Sequence, residues 1–499
     1  MPSSSLAPYG APLTLSDARH LVRRTGFGAP LARVAPLVGL TAAQAVARLL
    51  DEAEAAPSLA EPSWLATPQS NLTMLYAERE AWMRRMLADP LRERLTLFWH
   101  HHFATEARVY GNAASGWRYL ALCHAQALGN FRTFVHAMGL NPAMLRYLNG
   151  NQNTRSAPNQ NYARELFELF TMGPTARDGA ANYTETDITE AARALTGYRV
   201  QGPTGSDVAI DGSRFDAGTK TIFGQSGPWG YDAVVRLVFE QRPAQTAAFV
   251  ARKLLAFYVS ALPDADVEAA LAAVLLAHEF RIRPALEALL ASEHFFDAGF
   301  RGALLKSPLD VYLGLLGDLG ATDFNAAYLV NRARERDLEP LNPPNVAGWP
   351  GFNPPTASGR PGFAAWYASD DFGPLWAIVG AFVDKSNRVA TYDPLDVIRA
   401  APVPGDPFSV ALAAAERLVG VPLPYASILP NDTPFAGNPL RPPPDYVLTG
   451  PRYVSDLGKM LLGTMPHYEW ATSTDAVLAT RVQAFLKTLV STVPETLAF

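Results

Sequence analysis

Residues 90–103 read PLRERLTLFWHHHF, and how this stretch folds decides the class of the whole chain. Asp89 followed by Pro90 makes an N-cap and first-turn pair, which starts a helix. At about 100° per residue, Leu91, Leu95, Phe98 and Trp99 then share one stripe, with His102 in its middle. His102 is expected to face inward, His101 to flank the stripe near Arg94, and His100 to point to the opposite side. Residues two apart on a regular helix do not share a face. The three histidines are therefore not a metal site by themselves.

The same periodicity extends in both directions. TLSDARHLVRR, TAAQAVARLLDEAEAA and MLYAEREAWMRRMLA precede the histidines, and NYARELFELFTMG, TETDITEAARALTGY, PAQTAAFVARKLLAFYV and DVEAALAAVLLAHEF follow them. Each places apolar residues three and four apart, which predicts a mainly α fold: a large multi-helix body with a small β-hairpin insertion and Pro-rich loops. The main body is expected over 1–370, with the hairpin insertion at about 199–231. A C-terminal helical segment is expected over 371–499, with a Pro-rich linker at about 421–452. The stretch from Leu338 to Phe363 is too rich in Pro and Gly for a helix, and Trp349 and Phe352 should anchor it as an ordered loop.

Hydrophobic residues make up 48% of the 499 and charged residues 18%, so a sizeable buried core is expected. Forty-two basic against 47 acidic residues give a net charge of −5 with no long run of either sign, which disfavours nucleic acid as a partner. The single cysteine, Cys123, excludes an internal disulfide and a zinc site built from several thiolates. No stretch is apolar for the ~18 residues that a membrane-spanning helix needs, and with no leader before the first helix the expected location is the cytoplasm. The phosphate loop, the dinucleotide fingerprint, the zincin motif and the serine-hydrolase elbow are all missing from the sequence.

On a helix, NYARELFELFTMG puts Asn161, Glu165, Glu168 and Met172 on one face with Arg164 at its edge. Two carboxylates one turn apart can hold a hard cation or share a proton, and Arg164 can keep one ionised or bind an anionic group. A solvated face opposite an apolar one reads equally well. In YTETDITEAARALTG, Thr184 and Asp187 have the spacing of a capping box, which explains Asp187 without chemistry. Arg193 projects from the polar side of that helix. Asp207, Asp211 and Asp216 with Lys220 suit turns better than a calcium loop.

HLVRRTGFG (His20 to Gly28), RERLTLFWHHHF (Arg92 to Phe103), NYARELFELFTMG (Asn161 to Gly173), YTETDITEAARALTGY (Tyr183 to Tyr198) and PPNVAGWPG (Pro343 to Gly351) together resemble, in this order, the bacterial family catalogued as domain of unknown function 1800. The resemblance spans nearly the whole chain but implies no reaction. The family's His-Asn-His pattern maps onto His100 and His102, with His101 in place of the central Asn. Relatives place His-Asp in the insertion where this chain has Phe215 and Asp216. They are often exported, which the missing leader does not suggest here.

Polar motifs on separate helices are expected to meet in one cleft. The working expectation is an enzyme in which His102, His100, Glu165, Glu168 and Arg164 carry out acid–base or metal-assisted hydrolysis of a small-molecule or polymer substrate of unassigned identity. A divalent metal would sit on His102, Glu165 and Glu168. Asn161, Asp187, Arg193 and Trp349 would line the substrate site. The rival reading is a non-catalytic binding or scaffold protein whose polar cluster is structural. A helical two-metal redox protein is weaker, since it needs Glu-x-x-His where this chain has Glu-x-x-Glu.

Overall fold

Helices dominate, as the periodicity requires, in the computed structural model, which describes residues 5–66, 72–321, 323–353, 366, 390–418 and 452–492. The chain divides into two units. One comprises Met1–Ala11, Thr41–Asp297 and Ala333–Ala365, and the other Pro12–Leu40, Ala298–Arg332 and Trp366–Phe499. The boundary expected near residue 370, and the Pro-rich stretch expected from about 421, lie outside the described residues.

The first unit is organised around the helix Pro90–His102, every residue of which is buried. It packs against the helices Ala42–Ala55, Thr73–Ala88 and Ala113–Ala125. Its wheel has no wet side, which corrects the expectation that His100 faces away from the interior. The charged residues are accommodated by long-range partners. Arg92 donates to the carbonyls of His124 (2.8 Å) and Ala53 (3.0 Å). Glu93 accepts from the Trp82 indole at 2.7 Å and from Arg85 at 3.2 Å. Asp89 holds the N-cap position and Pro90 the first turn, but no side-chain cap hydrogen bond forms there.

Between the helices Glu185–Ala194 and Tyr231–Gln241 the insertion folds as two antiparallel strand pairs rather than one hairpin. Tyr198–Gln201 pairs with Asp207–Ile210, and Lys220–Ile222 pairs with Gln225–Gly227. Phe223 and Gly224 close the second pair with φ of 50° and 77°, the positive pair that a two-residue hairpin turn demands. Asp211 and Asp216 hold turns, accepting the backbone N–H of Ser213 (3.1 Å) and Gly218 (2.8 Å).

In the second unit, Thr14 and Asp17 cap the helix Leu15–Thr25 reciprocally, and Arg301 pairs with Asp17. Arg23 donates to the Arg417 carbonyl at 2.8 Å. Gly28, at φ +78°, lies against the Gly314 carbonyl and Asp318 with no room for a Cβ. The motif from His20 to Gly28 is thus a packing motif within this unit.

Candidate functional site

Each imidazole of the histidine helix is fixed by the donors around it, and those donors assign its tautomer. The Leu341 N–H donates to His100 Nε2 at 3.0 Å, so the ring proton sits on Nδ1, which donates to the Tyr119 hydroxyl at 2.7 Å. Tyr119 in turn donates to the Phe103 carbonyl at 2.8 Å. The Trp349 N–H donates to His101 Nδ1 at 3.1 Å, and the two rings stack at 6.3 Å between centroids. His102 donates from Nε2 to the Phe170 carbonyl at 3.0 Å and accepts at Nδ1 from Lys253 Nζ at 3.2 Å. All three rings are neutral. Burial pushes His100 down to about 3. It also holds His101 and His102 well below the ordinary range, with Lys253 adding to the effect on both.

The carboxylate motif departs from the expected regular helix. Asn161–Glu165 is α-helical, and Leu166–Thr171 continues as a π-helix, a rare wider turn often found at functional positions. Carbonyls at its end find partners on other elements: Phe170 accepts from His102 at 3.0 Å and Leu169 accepts from Lys253 at 3.3 Å. The two motifs therefore meet, but through imidazole and backbone rather than imidazole and carboxylate.

The carboxylates gather elsewhere. Arg164 grips Glu185 with two hydrogen bonds of 2.9 and 2.7 Å and reaches Glu168 at 3.3 Å. The Tyr183 hydroxyl donates to Glu168 at 2.6 Å. Glu165 is half-buried beside them, its carboxyl raised by burial and then by the Glu168 charge. Asn161 is exposed. Asp187 completes the capping box with Thr184 and also accepts the Phe223 N–H at 2.7 Å. Arg193 pairs with Glu190 (2.9 Å) and Asp216 (2.8 Å). Trp349 is fully buried against His100 and His101, and its indole N–H has no partner among the described residues.

The structure thus brings together His100, His101, His102 and Trp349 in one cluster, and Arg164, Glu165 and Glu168 in another. Among the described residues no group of three or more His, Cys, Asp or Glu side chains is placed to hold a metal ion, so the expected ligand set of His102, Glu165 and Glu168 is not assembled.

Sequence reasoning passed over Lys253, which lies in the helix Pro243–Tyr258 with Phe249 one turn before it and Phe257 one turn after. A lone cation aligned with two aromatics on one helix face was the available signal. It also passed over Glu93, which burial, foremost, raises to about 7.

A family model described as protein of unknown function (DUF1800) matches residues 20–485. No curated protein and no solved structure matches the chain.

Proposed function

The chain belongs to the DUF1800 family, and within it we propose that the protein is a non-catalytic binding or scaffold protein. In this reading the histidine cluster fixes helix packing. The half-exposed face of Arg164, Glu165, Glu168, Tyr183 and Glu185 is where polar groups remain open to a partner. One observation carries it: the lone pair of each imidazole is already engaged by an N–H donor of the chain, from Leu341, Trp349 and Lys253. A general base or a metal ligand needs that lone pair free and facing a cleft. Recruiting His100 or His101 would orphan the buried N–H of Leu341 or Trp349 at a cost of about 1–3 kcal/mol, and recruiting His102 would displace Lys253.

Hydrolysis by His102 with Glu165 and Glu168 draws no support from this arrangement, because Glu168 bonds to Arg164 and Tyr183, with Glu165 beside it, in a separate cluster. The test is elemental analysis of the purified protein, run alongside an NMR titration of its histidine ring resonances. The expected result is no stoichiometric metal, and no midpoint between pH 5 and 8 for His100, His101 or His102. A bound metal that is lost in both His102→Ala and Glu165→Ala while the fold persists would reinstate the metal enzyme.

A further inference from the structure

We propose that Lys253 is a covalent capture site for small carbonyl compounds, its amine condensing with an aldehyde or ketone to form an imine. The lysine is half-buried in the helix Pro243–Tyr258. Its Nζ lies 3.2 Å from His102 Nδ1, 3.3 Å from the Leu169 carbonyl and 4.9 Å from the centre of the Phe249 ring. Among the described residues no carboxylate pairs with it.

That environment is unusual for a lysine. Among the described residues an ammonium group here has two neutral acceptors and an aromatic wall, and no carboxylate partner, so the fold does little to hold its proton. Burial accordingly lowers the amine to about 7. The charged or titratable groups that face it are His101 and His102, both held neutral. A lysine in water keeps only about one part in a thousand as free amine at neutral pH. Lys253 presents a large fraction in the nucleophilic form.

In the reaction the nitrogen lone pair adds to the carbonyl carbon. The resulting carbinolamine loses the carbonyl oxygen as water with both amine protons, and a C=N double bond remains. The inventory closes with one carbonyl compound and one amine giving one imine and one water, and no redox partner is involved. His102 Nδ1 and the Leu169 carbonyl, which now accept from the amine, stand ready to accept the N–H of the iminium that forms when the imine takes a proton from water. The Phe249 ring offers an apolar wall to the carbonyl compound's carbon chain. His102 is a positioning residue in this scheme, since its other nitrogen is anchored on Phe170.

The experiment uses the full chain at pH 7 with propionaldehyde below one equivalent and sodium cyanoborohydride, which reduces the imine to a stable secondary amine. Peptide mapping by mass spectrometry then compares the chain's six lysines. Lys306 is the informative control, since burial also lowers it to about 7 but leaves it only 6% exposed. The expected result is alkylation of Lys253 about tenfold or more ahead of the exposed Lys459 and Lys487, and ahead of Lys306. Labelling of Lys253 no faster than that of Lys459 and Lys487 overturns the site. Equal labelling of Lys253 and Lys306 overturns it as well, because reactivity would then follow basicity alone and not the partial exposure that sets Lys253 apart. No substitution is needed, so no outcome depends on a variant that fails to fold.

Discussion

Gly348 shows how a single atom decides whether a motif can dock. The Trp349 N–H reaches His101 Nδ1 only because the preceding residue adopts φ +84° and presents no side chain; a Cβ there would run into the His101 imidazole and carbonyl. Both the left-handed backbone and the contact penalise any other residue. Gly348→Ala is expected to destabilise the protein by about 2 kcal/mol or more, read as a lower urea midpoint. An unchanged midpoint would mean that the stretch from Pro343 to Gly351 is not held on the histidine helix. Tyr119 illustrates the same economy, since its one hydroxyl accepts from His100 and donates to the Phe103 carbonyl that ends the helix.

At the scale of elements, the capping box of the helix Glu185–Ala194 joins local and distant structure. Thr184 accepts the Asp187 N–H at 3.2 Å, whereas Asp187 accepts the Thr184 N–H at 2.8 Å and, across the insertion, the Phe223 N–H at 2.7 Å. Thr184→Ala removes a cap, worth about 1 kcal/mol. Asp187→Ala also orphans a buried donor and should cost about 2–3 kcal/mol. Chemical denaturation of the two variants checks the order, and a reversed order would show that Phe223 does not depend on Asp187. This box was legible from sequence because its partners are three residues apart. So were the amphipathic helices, since periodicity needs only the polarity of neighbours. The π-helix was not. Its terminal carbonyls are satisfied by His102 and Lys253, 68 and 84 positions away. The burial of His100 was hidden for the same reason, because the wheel assumed a solvent side that Leu341 in fact closes. The carboxylate cluster was half-visible: Arg164 and Glu168 are one turn apart, but Glu185 and Tyr183 come from the next motif.

For the molecule as a whole, the buried imidazoles set a pH dependence with a definite sign. Burial lowers His100 to about 3 and His124 to about 4, and it holds His101 and His102 well below their ordinary value. In the unfolded chain each titrates near ~6.5. Below that pH the unfolded chain takes up protons that the folded chain refuses, so stability falls on acidification, by about 1 kcal/mol each for His100 and His124 between pH 6.5 and 5.5, with His101 and His102 acting in the same direction. Glu93 acts in the opposite sense. Raised to about 7 in the fold, it gains a proton over the same interval while its unfolded counterpart, near ~4.3, does not, which returns about 1 kcal/mol. Four histidines against one carboxyl leave a net loss of stability across that single pH step. Urea denaturation at pH 6.5 and 5.5, followed by tryptophan fluorescence, measures it directly, since Trp82, Trp99 and Trp349 are buried around these rings. A midpoint that stays level or rises on acidification would require imidazoles that ionise within the folded chain. Such imidazoles would have the free lone pair that acid–base catalysis needs, so this measurement also discriminates between a structural and a catalytic histidine cluster.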